Sequence, residues 1–155
     1  MNHNFEYYNP EHLIFGNGTF KQLATLPMPG KRACIVCTPR RRYVEEAMKM
    51  LKSNGVESVV YDRCRENPDT ATINNGAKFA AANGCDFVLS IGGGSVTDTA
   101  KCMALLMYNG VDDDIWDYVS YYEGHKNPDG CAPIVIVSTT SGTGTEADQS
   151  GVLTN

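Results

Sequence analysis

The residues best suited to chemistry sit in Ile91-Gly92-Gly93-Gly94-Ser95-Val96-Thr97-Asp98, three glycines between an apolar run and a helical pattern. Without a Cβ, backbone there can approach a phosphate closely, and the unpaired N–H groups at a helix start bind an anion. The run is neither G-x-G-x-x-G, which would need glycine at Thr97, nor a Walker A loop, which would need Gly-Lys-Ser/Thr. A purely structural role is also open: a tight strand-to-helix turn in which Ser95 and Asp98 form a capping box. The second candidate is Ser138-Thr139-Thr140-Ser141-Gly142-Thr143-Gly144-Thr145-Glu146. Its hydroxyls suit a ribose or an adenine edge, although Thr143 and Glu146 could equally cap a helix.

Other reactive residues argue for less. Cys34 and Cys37 form the one C-x-x-C among six cysteines, but they fall on an apolar strand, where positions three apart face opposite ways. They are expected to be core filler. His3, His12 and His125 are scattered, with no second ligand at helical spacing, so no metal site is expected from them. Asp112-Asp113-Asp114 lacks the glycine and distal glutamate of a calcium loop and is expected to be a turn capping Ile115 onward. A Gly-x-Ser-x-Gly elbow is missing, which disfavours an α/β-hydrolase.

The elements that must position the two loops follow from the hydrophobic pattern. Strands are expected over residues 32–37, 57–61, 86–91 and 133–137. Between them, apolar residues recur at helical spacing: Val44, Ala47, Met48 and Leu51; Ile73, Ala77, Ala80 and Ala81; Val96, Ala100, Met103 and Met107. Gly55, Gly84 and Asn109-Gly110 supply the stops. Strands alternating with helices make a parallel sheet flanked by helices, an α/β Rossmann-like fold, and put both loops at the carboxyl edge of the sheet, where such folds bind ligands. Residues 5–18 are expected to form an edge strand and turn, and residues 151–155 the beginning of a strand or hairpin.

Composition narrows the function classes. With 155 residues, 42% of them hydrophobic, the chain fits one domain with a true core. Its 13 basic and 18 acidic side chains give a net charge of −5, which disfavours nucleic acid or an anionic membrane as the main partner. No apolar run approaches the roughly 20 residues of a membrane span, and the first residues lack the features of a signal peptide, so a cytoplasmic location is expected.

The two loops also carry a family resemblance. Gly92-Gly93-Gly94-Ser95-Val96-Thr97-Asp98-Thr99-Ala100-Lys101 resembles the G-G-G-S-x-x-D-x-A-K signature of the iron-containing (group III) alcohol dehydrogenases. Thr139 to Glu146 resembles that family's T-T-x-G-T-G-S-E, with Thr145 in place of serine. Tyr8-Asn9-Pro10 with Ile14 to Gly18 is similar to its opening strand, and Asn67-Pro68-Asp69-Thr70 to its N-P-x-x turn. The order is preserved over nearly the whole chain.

The resemblance implies the N-terminal dinucleotide-binding domain, residues 1–155, of a two-domain dehydroquinate synthase-like fold. It implies hydride transfer between NAD(P)(H) and a small alcohol or aldehyde, butanol-like in the nearest branch. By carry-over, Gly93, Gly94 and Ser95 would hold the pyrophosphate with Asp98 beside them near the nicotinamide side. Thr139, Thr140 and Thr143 would line the adenine and ribose, and Asn67 and Val152 would complete the cleft. Thr38 stands where an acid would select NAD(H); with Arg40, Arg41 and Arg42 just beyond, NADP(H) is the expected preference. The family's metal, usually Fe2+, is bound by a helical C-terminal domain that this sequence lacks. Residues 1–155 are therefore expected to bind nucleotide weakly and to show no turnover, with metal and any homo-oligomer belonging to the full-length protein. Two alternatives stand beside this reading: a dehydroquinate synthase-like lyase domain and a non-catalytic nucleotide-binding fragment.

Overall fold

The computed structural model of the chain describes residues 11–155. Four strands, β1 (Arg32–Val36), β2 (Glu57–Tyr61), β3 (Phe87–Gly92) and β4 (Ile134–Ser138), alternate with three helices, α1 (Val44–Ser53), α2 (Thr70–Ala82) and α3 (Gly94–Asn109). The strands are all parallel in the order β2-β1-β3-β4. This is the expected Rossmann-like α/β architecture, with β3 and β4 each ending one residue later than the pattern alone indicates.

Alternation along β1 builds a core on each side of the sheet. Cys34 and Val36, with Val88 of β3, face Ile73, Ala77 and Ala80 of α2 and Ala100 and Met103 of α3. Ala33, Ile35 and Cys37, with Phe87, Leu89 and Ile91, face Val44, Ala47 and Leu51 of α1. Cys34 and Cys37 thus lie in different cores, both unpaired, as the strand geometry requires. Burying each large aliphatic or aromatic side chain here contributes about 1.5–3 kcal/mol.

Helix ends follow recognisable chemistry. The Asp69 side chain accepts a hydrogen bond from Thr72 N at 2.6 Å and caps α2. Asp114 likewise accepts from Trp116 N at 3.0 Å and starts a 3₁₀ turn, the capping role expected for the Asp112–Asp114 run.

The first and last segments differ from expectation. Residues 1–10, with His3 and most of the anticipated opening strand, lie outside the described residues, and no strand forms over residues 11–18. Gly18 instead caps a 3₁₀ helix, Thr19–Ala24, whose Leu23 enters the core beside α1. At the other end, the expected strand or hairpin is a single parallel bridge between Thr154 and Asp69. Thr154 N donates to Pro68 O at 2.8 Å, and Thr70 N donates to Thr154 O at 3.1 Å.

Candidate functional site

Chain direction across the sheet reverses between β1 and β3, since β2 lies to one side of this pair and β4 to the other. In open α/β sheets the crevice outside the carboxyl ends of two such strands receives the ligand. The register that pairs Val36 with Ser90 brings Thr38 level with Gly92, so Thr38 and the glycine run flank that crevice.

Gly92 ends β3 and Gly94 begins α3. A methyl group on Gly92 would fall 2.6 Å from Cβ of Val96, a distance no real structure holds. Glycine here lets the helix turn directly back onto its strand. Thr97, which stands where a dinucleotide fingerprint would have its last glycine, is fully buried and exchanges a 3.1 Å hydrogen bond with the Ser90 hydroxyl of β3. That bond fixes the angle at which α3 leaves the sheet. The first N–H groups of α3, at Gly94 and Ser95, have no carbonyl one turn earlier to accept them, so they point out of the helix as anion donors.

The Thr-rich loop closes against this turn. Thr139 N donates to Gly92 O at 2.8 Å. Methyl groups built on Gly93 and Gly94 would lie 2.8 Å from Oγ1 of Thr140 and 3.3 Å from Cγ2 of Thr143. Four of the expected residues, Gly93, Gly94, Thr140 and Thr143, therefore form one cradle with Ser95 and Thr139 at its rim.

The capping box open to Ser95 and Asp98 does not form. The N-cap of α3 is Gly93, with no side-chain cap, and Ser95 lies inside the helix. Asp98 turns instead to Thr145, whose hydroxyl donates to Asp98 Oδ1 at 2.6 Å. After Thr143 the chain makes only the 3₁₀ turn Thr145–Ala147, with Gly144 at its N-cap; Thr143 Oγ1 accepts from Thr145 N at a long 3.5 Å, and Glu146 keeps one buried carboxylate oxygen with no partner among the described residues.

Lys101 was legible only as part of a motif, without a role. Its ammonium donates to Thr145 Oγ1 at 3.3 Å, Asp148 Oδ1 at 2.7 Å and Ser150 O at 2.9 Å, with the side chain 11% exposed. Asp98, Thr145, Lys101 and Asp148 thus clasp residues 145–150 onto α3. Just beyond, Gly151 packs so close to α3 that a methyl there would lie 2.9 Å from Cys102 Sγ and 3.5 Å from Asp98 O. Burial, with Asp98 nearby as a smaller cause, pushes the Cys102 thiol up to about 12. Val152 follows, exposed, and Thr154 closes onto the loop that carries Asn67, itself exposed at a left-handed φ of 51°.

The arginine run does not face the crevice as a free group of three. Arg41 Nε and a terminal nitrogen reach Asp62 Oδ2 at 2.8 and 2.7 Å. The Arg42 guanidinium stacks 4.7 Å over the ring of Tyr43. Arg40 is exposed. Two cavities, of about 360 and 430 Å³, are lined by Arg41, Tyr43 and Lys49 and by Tyr61, Arg63 and Asp69, respectively, and neither includes a cradle residue. Among the described residues no three His, Cys, Asp or Glu side chains are grouped to hold a metal ion. Nothing among the described residues fits the metal, and no step is derived through one.

Fold and loop placement define a Rossmann-like α/β domain with a glycine turn at its switch point. Residues 10–155 match the sequence pattern of the iron-containing alcohol dehydrogenases, and the chain belongs to that family. It is 32% identical over 158 residues to a probable NADH-dependent butanol dehydrogenase of Bacillus subtilis, covering 98% of this chain and 39% of that protein. Among solved structures it resembles sulfoacetaldehyde reductase from Bifidobacterium kashiwanohense in complex with NAD+ (TM-score 0.86, 29% identity, 99% of this chain and 41% of that one). It also resembles NADH-dependent butanol dehydrogenase A from Thermotoga maritima (TM-score 0.85, 27% identity, 98% and 38%). The chain thus spans about two fifths of the length of the relatives it matches.

Proposed function

We propose that this chain is the dinucleotide-binding part of an NAD(P)(H)-dependent alcohol dehydrogenase or aldehyde reductase. The observation that carries the reading is the cradle of Gly93, Gly94, Thr140 and Thr143 at the carboxyl ends of β3 and β4, with the helix start of α3 aimed into it. Gly93, Gly94 and Ser95 would hold the pyrophosphate through backbone N–H groups. Thr139, Thr140 and Thr143 would offer hydroxyls to the adenosine half, and Asp98 and Val152 would border the nicotinamide half. Asn67, on the loop joined to Thr154, would close the far rim.

When bound, the nicotinamide supplies the hydride exchanged with a small alcohol or aldehyde. This chain's own residues bind and orient. The Thr145–Asp98 hydrogen bond and the Lys101 contacts hold the Thr-rich loop against α3, so the cradle is preformed. A preference for NADP(H) rests on Thr38, which places no carboxylate at the end of β1, and on Arg40. Metal-assisted polarisation of the substrate oxygen, as the family's name implies, would draw on residues beyond those described. The aldehyde-reductase reading is preferred to a lyase of dehydroquinate synthase type because the Thr-rich loop meets the glycine turn directly.

The test is isothermal titration of the purified chain with NADPH and NADH, alongside an assay of aldehyde-dependent NADPH oxidation. Saturable binding without turnover by residues 1–155 is expected. Robust metal-dependent aldehyde reduction by these residues alone would contradict the division of labour proposed here.

A further inference from the structure

The Arg41–Asp62 pair occupies a position that the glycine cradle does not explain. Extending the register that pairs Val36 with Tyr61 sets Asp62 beside Cys37, and Cys37 N donates to Tyr61 O at 3.1 Å. The turn after β1 is closed by Arg41 N donating to Thr38 O at 3.0 Å. Arg41 therefore folds back over the end of β1 with a left-handed φ of 47°, a conformation that a non-glycine residue holds only when its surroundings demand it. Its guanidinium delivers two N–H groups to one carboxylate oxygen of Asp62, which is 25% exposed, and Arg63 Nε approaches the other oxygen at 3.8 Å.

In dinucleotide folds the end of the strand next to the glycine strand meets the adenosine ribose. An acid there accepts the 2′-hydroxyl and repels a 2′-phosphate, while an arginine there receives the phosphate. Here that strand is β1. The acid is not on it, but arrives from β2 and is joined to the arginine. A 2′-phosphate and the Asp62 carboxylate would compete for the same planar fork of N–H donors.

We infer that Asp62 is a specificity-determining residue, which lowers affinity for a 2′-phosphorylated dinucleotide by holding Arg41 away from it. This rests on the cofactor cleft proposed above. It makes Asp62 the brake, and Arg41 the group withheld, in whatever preference Thr38 and Arg40 establish.

The experiment is an NMR titration of the folded chain with NADH and with NADPH, for wild type, Asp62→Asn, Arg41→Gln and the double variant. The ratio of the two dissociation constants is an internal readout that a general loss of stability does not move. Releasing the Arg41 guanidinium toward a phosphate dianion at this partly exposed site, by Asp62→Asn, is expected to shift the ratio toward NADPH about fivefold or more. In the Arg41→Gln background the same change should shift it less than about twofold, because the withheld donor is gone. An unchanged ratio in Asp62→Asn overturns the inference, and so does a shift of equal size in both backgrounds. If neither nucleotide perturbs the folded wild-type chain, the cleft reading itself fails, and this inference with it.

Discussion

The hydroxyl of Thr145 donates to the carboxylate of Asp98 at 2.6 Å, across 47 positions of sequence, and the same hydroxyl accepts from Lys101 at 3.3 Å. One side chain from the loop after β4 is thereby held between an acid and a base on α3. The hydroxyl is needed both as donor to Asp98 and as acceptor from Lys101. Thr145→Ser should keep both and leave stability nearly unchanged, whereas Thr145→Val should remove both and cost about 1–3 kcal/mol through the polar groups left facing it. Urea unfolding of the two variants checks this. Hydrogen exchange should report faster opening of residues 139–150 in the valine variant only.

Gly92 and Gly93 are adjacent but should fail in different ways. A Cβ on Gly92 strikes the branched carbon of Val96 at 2.6 Å, and neither side can yield without moving α3 off the sheet. Gly92→Ala should destabilise by about 1–3 kcal/mol. A Cβ on Gly93 meets the Thr140 hydroxyl at 2.8 Å, the end of an exposed side chain that can rotate. Gly93→Ala should stay near wild type in a thermal melt yet lose nucleotide binding about tenfold or more, because the methyl group stands where a phosphate would approach the backbone.

Acid should weaken the fold for an identifiable reason. Thr72 N holds the Asp69 carboxylate below its ordinary value of 3.8, the Arg41 guanidinium does the same for Asp62, and Trp116 N for Asp114. A depressed folded-state value means that the stability these groups contribute is fully present above about pH 4 and is lost as pH falls through their lower folded-state values. Urea midpoints should therefore be level near pH 6 and drop below pH 4. Asp69→Ala, which removes the α2 cap, should lower stability by about 1 kcal/mol at neutral pH and flatten the drop in acid.

Much of the fold was legible because it is written locally. The apolar runs of β1 and β2 and the three- and four-residue spacing of Val44, Ala47 and Leu51 admit one reading each, and the structure follows them. What local pattern could not supply is contact across the sheet. Asp98 sits three residues after Ser95, which is capping-box spacing, but its carboxylate has a better donor in Thr145, and nothing near residue 98 announces that residue. Likewise three consecutive arginines look alike in sequence, and only the β1–β2 register puts Asp62 within reach of Arg41. The 3₁₀ helix at Thr19–Ala24 has too few turns to show a period, and the sequence carries no reading of it. Of the ten expected site residues, Gly93, Gly94, Thr140 and Thr143 meet in one cradle with Ser95 and Thr139 beside them, Asp98 is taken up by Thr145, Thr38 lies at the same sheet edge, and Asn67 and Val152 lie on segments joined by the Asp69–Thr154 bridge.

The central claim is that the switch-point cradle binds a dinucleotide, and NMR chemical-shift mapping of the folded chain with NADPH tests it most directly because it detects weak binding. The account predicts saturable shifts concentrated at Gly93, Gly94, Ser95, Thr139, Thr140 and Thr143, requiring about tenfold or more NADPH in Gly93→Ala. Shifts confined to another face of the molecule, or none from a chain whose spectrum is that of a folded protein, would contradict it.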